Sequence, residues 1–487
     1  MNEYYLLTLC IGILIIFLAT SRKKGTKFPV VPGAYPILGN LINVDRLPDQ
    51  IDDWCSKYGI CEFRMLGKKW VIVADATELK TLSRQRPRQI QRFKPLRRAL
   101  DDVAPGVFGA ELPQWSLERR LMTPAFNHSN LTNFLPGLHK CCDSLVAAVR
   151  KEGGNNFIML AARYTADVIG LVSFGQELES LNNPNSDIAD VFKKLLHATT
   201  KRMLTPLPLW RIPILGPILD HFNGISSLKR RQNLTCEKIL AQANPDNGYS
   251  ILDKMVHLNR KENTKLSNIR LIGNLATLYI AGSETTATTM SWMLYFLAKF
   301  PDFQEEARRE CFANSFDQFT TFKQALEAYP HLRSLFWECL RFYGPASFLF
   351  LENSQNTIQV ADRTLDPNEY VLVVPLRWLA KQPQLGGSTF DPRRWLVSSS
   401  STLNSKPSLL DPLPENLTLP FGFGVRICPG KDLAELEACT ACAALLRAYD
   451  KIELVNPEEP QPSPTFQFAM IPDRPINLRF IQSTFTK

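Results

Sequence analysis

The ten residues from Phe421 to Gly430, FGFGVRICPG, place a single cysteine where it could bind a metal. Glycine allows tight turns and lets the backbone approach a planar group at positions where a Cβ atom would collide with it. Backbone N–H groups of such a loop are expected to point at the Cys428 sulfur and to favour its thiolate form. Arg426 adds a fixed positive charge for a neighbouring carboxylate. A shielded thiolate on a glycine-rich loop suits an axial ligand of haem iron.

A second candidate site lies in the longest apolar stretch, Asn263 to Phe300, which Pro301 closes and which is predicted to be one helix. The segment Ala281 to Thr286 brings a glycine, Glu284 and Thr285 together near its middle. A threonine hydroxyl can bond to a carbonyl one turn earlier and open a local kink that would hold a water molecule. The alternative is ordinary packing of serine and threonine. Polar residues interrupt the stretch and favour a core helix over a second membrane span.

Two further patterns involve arginine. Glu338 and Arg341 have the spacing of a helical i, i+3 pair, which alone would be an ordinary surface pair. Arg394 follows about fifty residues later in the segment FDPRRW. Trp115 and Arg119 have i, i+4 spacing, which also arises on any amphipathic helix.

These four elements resemble the Trp-x-x-x-Arg helix, the oxygen-activation helix, the Glu-x-x-Arg network and the cysteine loop of the cytochrome P-450 family, the haem-thiolate monooxygenases. They follow one another along the chain in the order that the family has. The resemblance implies a mainly α fold with a minor β component, in which one large helical domain carries small β-sheets. The resemblance also assigns roles to individual residues. Cys428 would be the iron ligand, the cofactor loop would include Phe421, Gly422, Gly424 and Arg426, and the haem propionates would be bound by Trp115, Arg119 and Arg426. Glu284 and Thr285 would relay protons, and a structural network would consist of Glu338, Arg341 and Arg394.

The resemblance further implies haem b, O2 and electrons from NADPH through NADPH-cytochrome reductase, with cytochrome b5 as a second donor. Arg120 would face the electron donor. By family position the substrate would be lined by mostly apolar residues, which suggest a lipophilic terpenoid, sterol, polyketide or fatty acid: Phe108, Ile280, Ala281, Ser347, Phe348 and Phe468. Many members have an arginine near Leu351 that binds a propionate, and a histidine near Ala380 to Pro383; this chain has neither.

The composition agrees with one large, buried core. The chain has 487 residues, of which 45% are hydrophobic, and no flexible linker divides its body. Eleven scattered cysteines form no disulfide framework and fit a reducing compartment. The net charge of +9, without a long basic run, argues against nucleic-acid binding and suits acidic lipid or an acidic protein partner. Short strands are predicted at Ile60 to Met65 and Trp70 to Ala74.

The N-terminal residues predict a membrane anchor. An apolar run from Tyr4 to Ala19 is followed at once by Arg22, Lys23 and Lys24. Positive charge after the apolar run keeps the body in the cytosol and argues against a cleaved signal peptide. We therefore expect a single-pass anchor in the endoplasmic reticulum membrane at residues 1–21, a basic and proline-rich hinge at 22–40, and a catalytic domain at 41–487.

The proline-broken apolar segment Met203 to Phe222 cannot be one regular helix. It is either a buried connector or a lip that dips into the bilayer and admits lipophilic substrates.

Other hypotheses remain open at this point. Cys439 and Cys442 have zinc or redox spacing, but they stand in a helix of small residues with no second pair, which favours core packing. A haem-thiolate isomerase or dehydratase would need no reductase, although the Glu284–Thr285 pair argues against it. A non-catalytic haem sensor would also carry the signature cysteine.

Overall fold

The computed structural model describes residues 27–35, 39–40, 46–65, 67–183, 187–204, 209–262, 266–398, 407–466 and 469–482. The anchor expected at residues 1–21 and much of the hinge expected at 22–40 lie outside the described residues. Phe468 also lies outside them.

The described chain is mainly helical, as the sequence predicts. Its α-helices are α1 (Leu47–Tyr58), α2 (Ala76–Gln85), α3 (Lys94–Asp101), α4 (Gln114–Met122), α5 (His128–Thr132), α6 (Leu135–Glu152), α7 (Phe157–Ile169), α8 (Asp187–Leu204), α9 (Leu215–Phe222), α10 (Ile225–Ala241), α11 (Ile251–Lys261), α12 (Asn268–Lys299), α13 (Pro301–Ala313), α14 (Phe322–Glu327), α15 (Pro330–Tyr343), α16 (Leu376–Ala380) and α17 (Lys431–Ala448).

The β component is small and divided among short sheets. The strands are β1 (Cys61–Met65), β2 (Lys68–Ile72), β3 (Gln91–Arg92), β4 (Phe348–Glu352), β5 (Ile358–Val360), β6 (Arg363–Leu365), β7 (Tyr370–Pro375), β8 (Leu396–Ser398), β9 (Pro407–Leu409), β10 (Lys451–Leu454), β11 (Pro464–Phe466), β12 (Met470–Pro472) and β13 (Leu478–Ile481). Five strands form the largest sheet in the order β1-β2-β7-β4-β3. Both early strands that the sequence predicts are therefore present, β2 starting two residues earlier than expected.

The long helix α12 runs through the helical core. It begins after Ser267, whose side chain caps the first turn by accepting from the Arg270 N–H, and it ends at Phe300 before Pro301. Most of its side chains are buried against α7, α15 and α17. The buried amide of Asn274 is satisfied, because its oxygen accepts from the Val107 N–H at 2.8 Å and its nitrogen donates to Glu118. The prediction of a core helix is confirmed, with a start five residues later than expected.

One helical stretch among the described residues, Phe157–Phe174, is long and apolar enough to cross a membrane. Since 72% of it is buried inside the protein, it is accounted for as a core helix that packs on α12.

The segment from Met203 to Phe222 is broken, as its prolines predict. Helix α8 ends at Leu204, a 3-10 turn spans Leu209–Arg211, and α9 follows. The idea of a buried connector is wrong for the described residues from 209 to 222, because most of their apolar side chains face solvent. The exposed set, which we call the apolar lip, consists of Leu209, Ile212, Ile214, Leu215, Ile218 and Phe222. Ile214 and Phe222 are about four-fifths exposed, at 79% and 82%.

A buried ionic network joins α15 to the segment before β8. Glu338 and Arg341 are fully buried and form a two-pronged ion pair, with nitrogen–oxygen distances of 2.7 and 2.8 Å. The remaining Arg341 donors reach the carbonyls of Gly387 and Thr389. Glu338 also accepts from the Trp395 indole at 2.8 Å.

Arg394 completes this network from the other side, with its Nε 3.6 Å from Glu338 Oε1. Its guanidinium also donates to the Thr389 carbonyl. The pair therefore is not the surface pair that its spacing alone would suggest. It ties helix α15 to the chain that leads toward the cysteine loop.

Removing the Glu338 carboxylate should lower the free energy of unfolding by a large amount. Glu338→Ala leaves the fully buried Arg341 without its counter-charge, and breaking such a pair costs about 3–5 kcal/mol. Urea unfolding followed by circular dichroism measures the free energy of unfolding. Glu305→Ala is the matched control, since Glu305 pairs with Arg308 and Arg309 on the surface of α13 and its removal should change the free energy of unfolding by about 1 kcal/mol or less. Equal effects of the two substitutions would contradict a structural role for the buried network.

Candidate active site

The cysteine loop is a tight turn that depends on two glycines. Gly422 and Gly424 adopt φ angles of +81° and +63°, in the left-handed region that favours glycine. A Cβ at Gly424 would lie 2.3 Å from Ser83 Oγ of α2, whereas a Cβ at Gly422 would make only an ordinary contact with the Arg426 carbonyl oxygen at 3.9 Å. The Cys428 N–H donates to the Phe421 carbonyl at 2.8 Å and closes the loop just before α17 begins. The expectation of a closely folded glycine loop around Cys428 agrees with this geometry.

Cys428 is an exposed residue of this loop, although protein atoms surround its sulfur. Burial raises the pKa of the Cys428 thiol above its ordinary value, and this outweighs the Gly430 N–H and the Arg119 charge, which lower it. The Gly430 N–H therefore acts in the direction that the sequence predicts, favouring the thiolate, but burial has the larger effect on the thiol pKa. A coordinating metal ion deprotonates a thiol, so the charge on the sulfur would come with the iron.

Helix α4 places two of the expected ligands beside this loop. Arg119 Nη2 donates to the Ile427 carbonyl at 2.8 Å, so its charge lies next to Cys428. The Trp115 ring lies under the Arg426 guanidinium, with 4.5 Å from Cζ to the ring centroid. Arg120, the neighbour of Arg119, points outward, is 61% exposed and pairs with Glu262. The structure therefore brings Cys428, Arg426, Trp115 and Arg119 into one site.

The buried side of this site has unused hydrogen-bond donors. Arg426 donates from Nη2 to the Ala110 carbonyl and to Glu111, which the sequence did not single out. Its Nε and Nη1 are buried and have no hydrogen-bond partner within the described part of the chain. Burial, with Arg97 and Arg119 nearby, lowers the pKa of Arg426 to about 10 despite Glu111. Unused guanidinium donors beside a cysteine suit a cofactor that carries carboxylates, so the residues present fit haem.

Two more arginines were missed in the sequence. Arg86, at the end of α2, and Arg92, in β3, lie close enough to Arg426 to repel it electrostatically. In the sequence, the arginine-rich stretch before Phe93 looks like an exposed loop. Its high density of arginine was the only feature that could have indicated a role for these residues near Arg426. Leu351, where many members of the resembled family carry arginine, is fully buried in the apolar core beside the sheet.

The middle of α12 presents the expected oxygen-activation residues on a partly open face. Ala281 is exposed and Thr285, one turn later, is half-buried, although the helix is otherwise largely buried. The Thr285 hydroxyl donates to the Ala281 carbonyl at 2.7 Å, the i−4 bond that the sequence predicts. The helix remains uninterrupted across these residues. The Glu284 carboxylate is near enough to Tyr279 to contribute to the raised pKa of that phenol, of which burial is the main cause.

The expected substrate-lining residues come from three elements. Phe108 follows a segment that packs on α12, where a Cβ at Gly106 would touch Thr277, and its ring lies 4.0 Å from Arg92 Cζ. Ile280 is buried one position before Ala281. Ser347 is buried before β4, and the half-buried Phe348 contacts Phe466. Their role as lining residues stays a prediction.

The cysteine pair in α17 belongs to the core. Cys439 and Cys442 are 2% and 0% exposed, and burial raises the pKa of both thiols. Within the described ranges no group of three or more His, Cys, Asp or Glu side chains could hold a metal ion. The core-packing interpretation of this pair therefore holds over the zinc or redox one.

Replacing Arg119 should loosen haem while replacing its neighbour should not. Arg119→Met removes a charged donor next to Cys428, and a hydrogen bond to a charged group contributes about 1.5–3 kcal/mol, or roughly ten- to a hundredfold in a rate of haem loss. Arg120→Met is the matched control, since its side chain faces solvent and pairs only with Glu262 among the contacts described. Haem transfer to excess apomyoglobin measures the loss. Equal rates in the two variants would remove Arg119 from the cofactor site.

Comparison with known proteins agrees with this geometry. The cytochrome P-450 family model matches residues 29–480. Relatives include a self-sufficient cytochrome P-450 monooxygenase of Phanerodontia chrysosporium, 25% identical over 86% of this chain, and a bifunctional cytochrome P-450/NADPH–P-450 reductase of Alternaria alternata, 24% identical over 89%. This chain spans only 40% and 39% of those two proteins. Cytochrome P-450 3A29 of Sus scrofa is 25% identical over 93% of this chain and 91% of its own length. The chain belongs to the cytochrome P-450 family, which implies a haem iron cofactor.

Proposed function

We propose that the protein is a haem-thiolate monooxygenase that inserts one atom of O2 into a lipophilic small molecule. The observation that carries this proposal is the joint placement of Cys428 on its glycine loop and of Arg119, Trp115 and Arg426 around it. Haem bound through Cys428 Sγ would supply the activation of O2 by two electrons and the transfer of one oxygen atom to a C–H or C=C bond. The protein would orient the substrate and keep bulk water away.

Thr285 and Glu284 would deliver protons. The Thr285 hydroxyl already spends its own hydrogen on the Ala281 carbonyl, so its lone pairs are left to hold a water molecule. Glu284, the preceding residue on α12, would resupply protons through that water. This pair favours oxygen insertion over the isomerase or dehydratase alternative. A non-catalytic haem sensor is distinguished by the absence of turnover with a reductase.

Electrons would come from NADPH through NADPH-cytochrome reductase, with cytochrome b5 as a second donor. Two of the relatives support this, since one is named as self-sufficient and another as carrying its own NADPH–P-450 reductase. The exposed Arg120, beside the buried Arg119, is a candidate contact for an acidic donor.

The membrane would be the second partner. The apolar lip exposes large side chains that a soluble surface rarely groups together, and it would dip into the bilayer at the mouth of the substrate path. Two cations hold the lip in place: Lys229 bonds to Asp102 at 2.8 Å and to Asp220 at 3.2 Å, and Arg202 pairs with the same two carboxylates. Together with an anchor at residues 1–21, this would place the catalytic domain on the cytosolic face of the endoplasmic reticulum.

The proton-delivery role of Thr285 predicts uncoupling. With purified reductase, NADPH and 18O2, a panel of terpenoids, sterols, polyketides and fatty acids should yield a product that carries one 18O atom. Thr285→Ala should lower the product formed per NADPH by on the order of tenfold or more, because O2 is reduced without proton delivery at the right site.

Thr289→Ala is the matched control, since Thr289 makes the same i−4 hydrogen bond one turn later on the buried face of α12. It should keep the native ratio of product to NADPH. Product formed in step with NADPH by Thr285→Ala would contradict the proton-delivery role. The absence of any 18O-labelled product from the native protein across the panel would count against the monooxygenase proposal.

Membrane contact of the lip can be tested in the full chain. Ile214→Cys carrying an environment-sensitive NBD label should shift its emission to the blue in phosphatidylcholine–phosphatidylserine vesicles and be quenched by brominated lipid. Phe312→Cys is the control, since Phe312 is an exposed aromatic residue of α13 at 55% exposure. Equal emission and quenching at the two positions would contradict insertion of the lip.

A further inference from the structure

Lys381, the residue after helix α16, has unusual surroundings for a lysine. Its ammonium lies 5.3 Å from the centroid of the Phe342 ring, and the Arg341 guanidinium lies 4.3 Å from the same ring, so two cations share it. Its ion-pair partner among the described residues is Asp52, whose Oδ2 is 3.8 Å from Nζ, too far for a hydrogen bond. Only 22% of the side chain is exposed. The amine is therefore partly removed from water without the hydrogen bond that normally compensates for this.

Four charged groups from three helices act on this ammonium. Asp49 and Asp52 of α1 attract it, but both carboxylates already bond to Arg377, at 2.7 to 3.0 Å. Arg377 itself, in α16, and Arg341, in α15, repel the ammonium. Burial, together with these two arginines, lowers the pKa of Lys381 to about 8 despite the two carboxylates. About a tenth of this amine is therefore uncharged at pH 7, against less than about a thousandth for an ordinary lysine.

Lys229 provides a comparison within the same protein. It has nearly the same exposure, at 24% of its side chain, and burial lowers its pKa as well. Its ammonium nevertheless donates to Asp102 at 2.8 Å and to Asp220 at 3.2 Å, and these bonds favour the charged form. An uncharged lysine amine is a nucleophile, whereas an ammonium bonded to two carboxylates is not. The two lysines thus match in exposure and differ in the availability of a lone pair.

We propose that Lys381 is a modification site, at which the amine is acylated without an enzyme by acyl thioesters such as acetyl coenzyme A. The Nζ lone pair attacks the thioester carbonyl carbon, so that a C–N bond forms, the C–S bond breaks and a thiolate leaves. The Asp52 carboxylate accepts the proton that Nζ loses, since its Oδ1 is buried with no hydrogen-bond partner in the described part of the chain. The thiolate takes up this proton, so the products are an amide and a thiol. This inference does not depend on haem or on the proposed monooxygenase function.

An uncharged product suits this position. A carbamate or a phosphate on Nζ would bring negative charge close to Asp49 and Asp52, whereas an amide brings none. The Phe342 ring beside Nζ offers apolar surface to the acyl chain. Loss of the Lys381 charge also leaves the shorter ion pair of Asp52 with Arg377, at 2.7 Å, intact. The acylated protein should therefore remain folded.

Acetylation of the haem-loaded, full-length protein tests this proposal. With acetyl coenzyme A at pH 7, Lys381 should be acetylated roughly tenfold faster than Lys229, and roughly tenfold faster than Lys57, 59% of whose side chain is exposed. The expected ratio is smaller than the ratio of uncharged amine, because a weaker base is also a weaker nucleophile. Peptide mass spectrometry after cleavage at glutamate measures the occupancy of each lysine.

The pH dependence of labelling gives a second readout. With trace acetic anhydride, the rate at Lys381 should rise to a midpoint near pH 8 and then level off, because the amine is then almost wholly uncharged. The rate at Lys57 should still be rising at pH 9, since its hydrogen bond to Asp53 raises its pKa. A lysine that is merely well exposed would show no such early midpoint.

Labelling in concentrated urea is the control for local sequence. Unfolding removes both the burial and the neighbouring charges, so Lys381, Lys229 and Lys57 should then be acetylated at about the same rate.

Three results would overturn the inference: acetylation of Lys381 no faster than that of Lys229 in the folded protein, a labelling midpoint of Lys381 equal to that of Lys57, or a preference for Lys381 that persists in urea.

Discussion

The buried Glu338 carboxylate is the charge on which the fold around the cysteine loop depends. It lies in α15 with no exposed surface and accepts from Arg341, from the Trp395 indole and from the Asp391 backbone N–H. A carboxylate in that position is stable only because each oxygen is bonded, and the bonds from Asp391 and Trp395 tie α15 to the segment before β8. Helix α15 also packs on α17, the helix that begins just after the cysteine loop. The network thereby holds the framework against which that loop is folded.

The charged groups around Arg426 differ from those around Glu338 in how completely they are paired. Around Glu338 the charges of Arg341 and Arg394 have a carboxylate partner. Around Arg426 the guanidiniums of three chain segments converge with a single carboxylate, Glu111, and several donors are unused. The paired charges around Glu338 stabilise the fold. The incompletely paired arginines around Arg426 repel one another, and an anionic cofactor would reduce this repulsion. Folding and haem binding are therefore coupled through charge as well as through the iron ligand.

The sequence predicted what short-range spacing determines. The glycine loop around Cys428, the single long helix α12 and the contact of Glu338 with Arg341 follow from positions a few residues apart, although α12 starts five residues later than expected and the pair is buried rather than at the surface. The sequence could not predict that Arg86 and Arg92 lie near Arg426, because this depends on β3 pairing with β4 and on Gly424 packing against Ser83. It also left the lip undecided, since an apolar, proline-broken segment reads the same whether it is buried or exposed. The sequence also could not show that burial of the Cys428 sulfur outweighs the Gly430 N–H, which lowers the thiol pKa as expected.

The reduced, carbon-monoxide difference spectrum of purified full-length protein tests the central claim, that Cys428 is the thiolate ligand of haem iron. The account predicts a strongly red-shifted Soret band in the native protein and in Cys141→Ala, a control at the other cysteine that is not fully buried among the described residues. It predicts that Cys428→Ala lacks this band. Folded, haem-loaded native protein without the band, or a Cys428→Ala variant that retains it, would contradict the assignment.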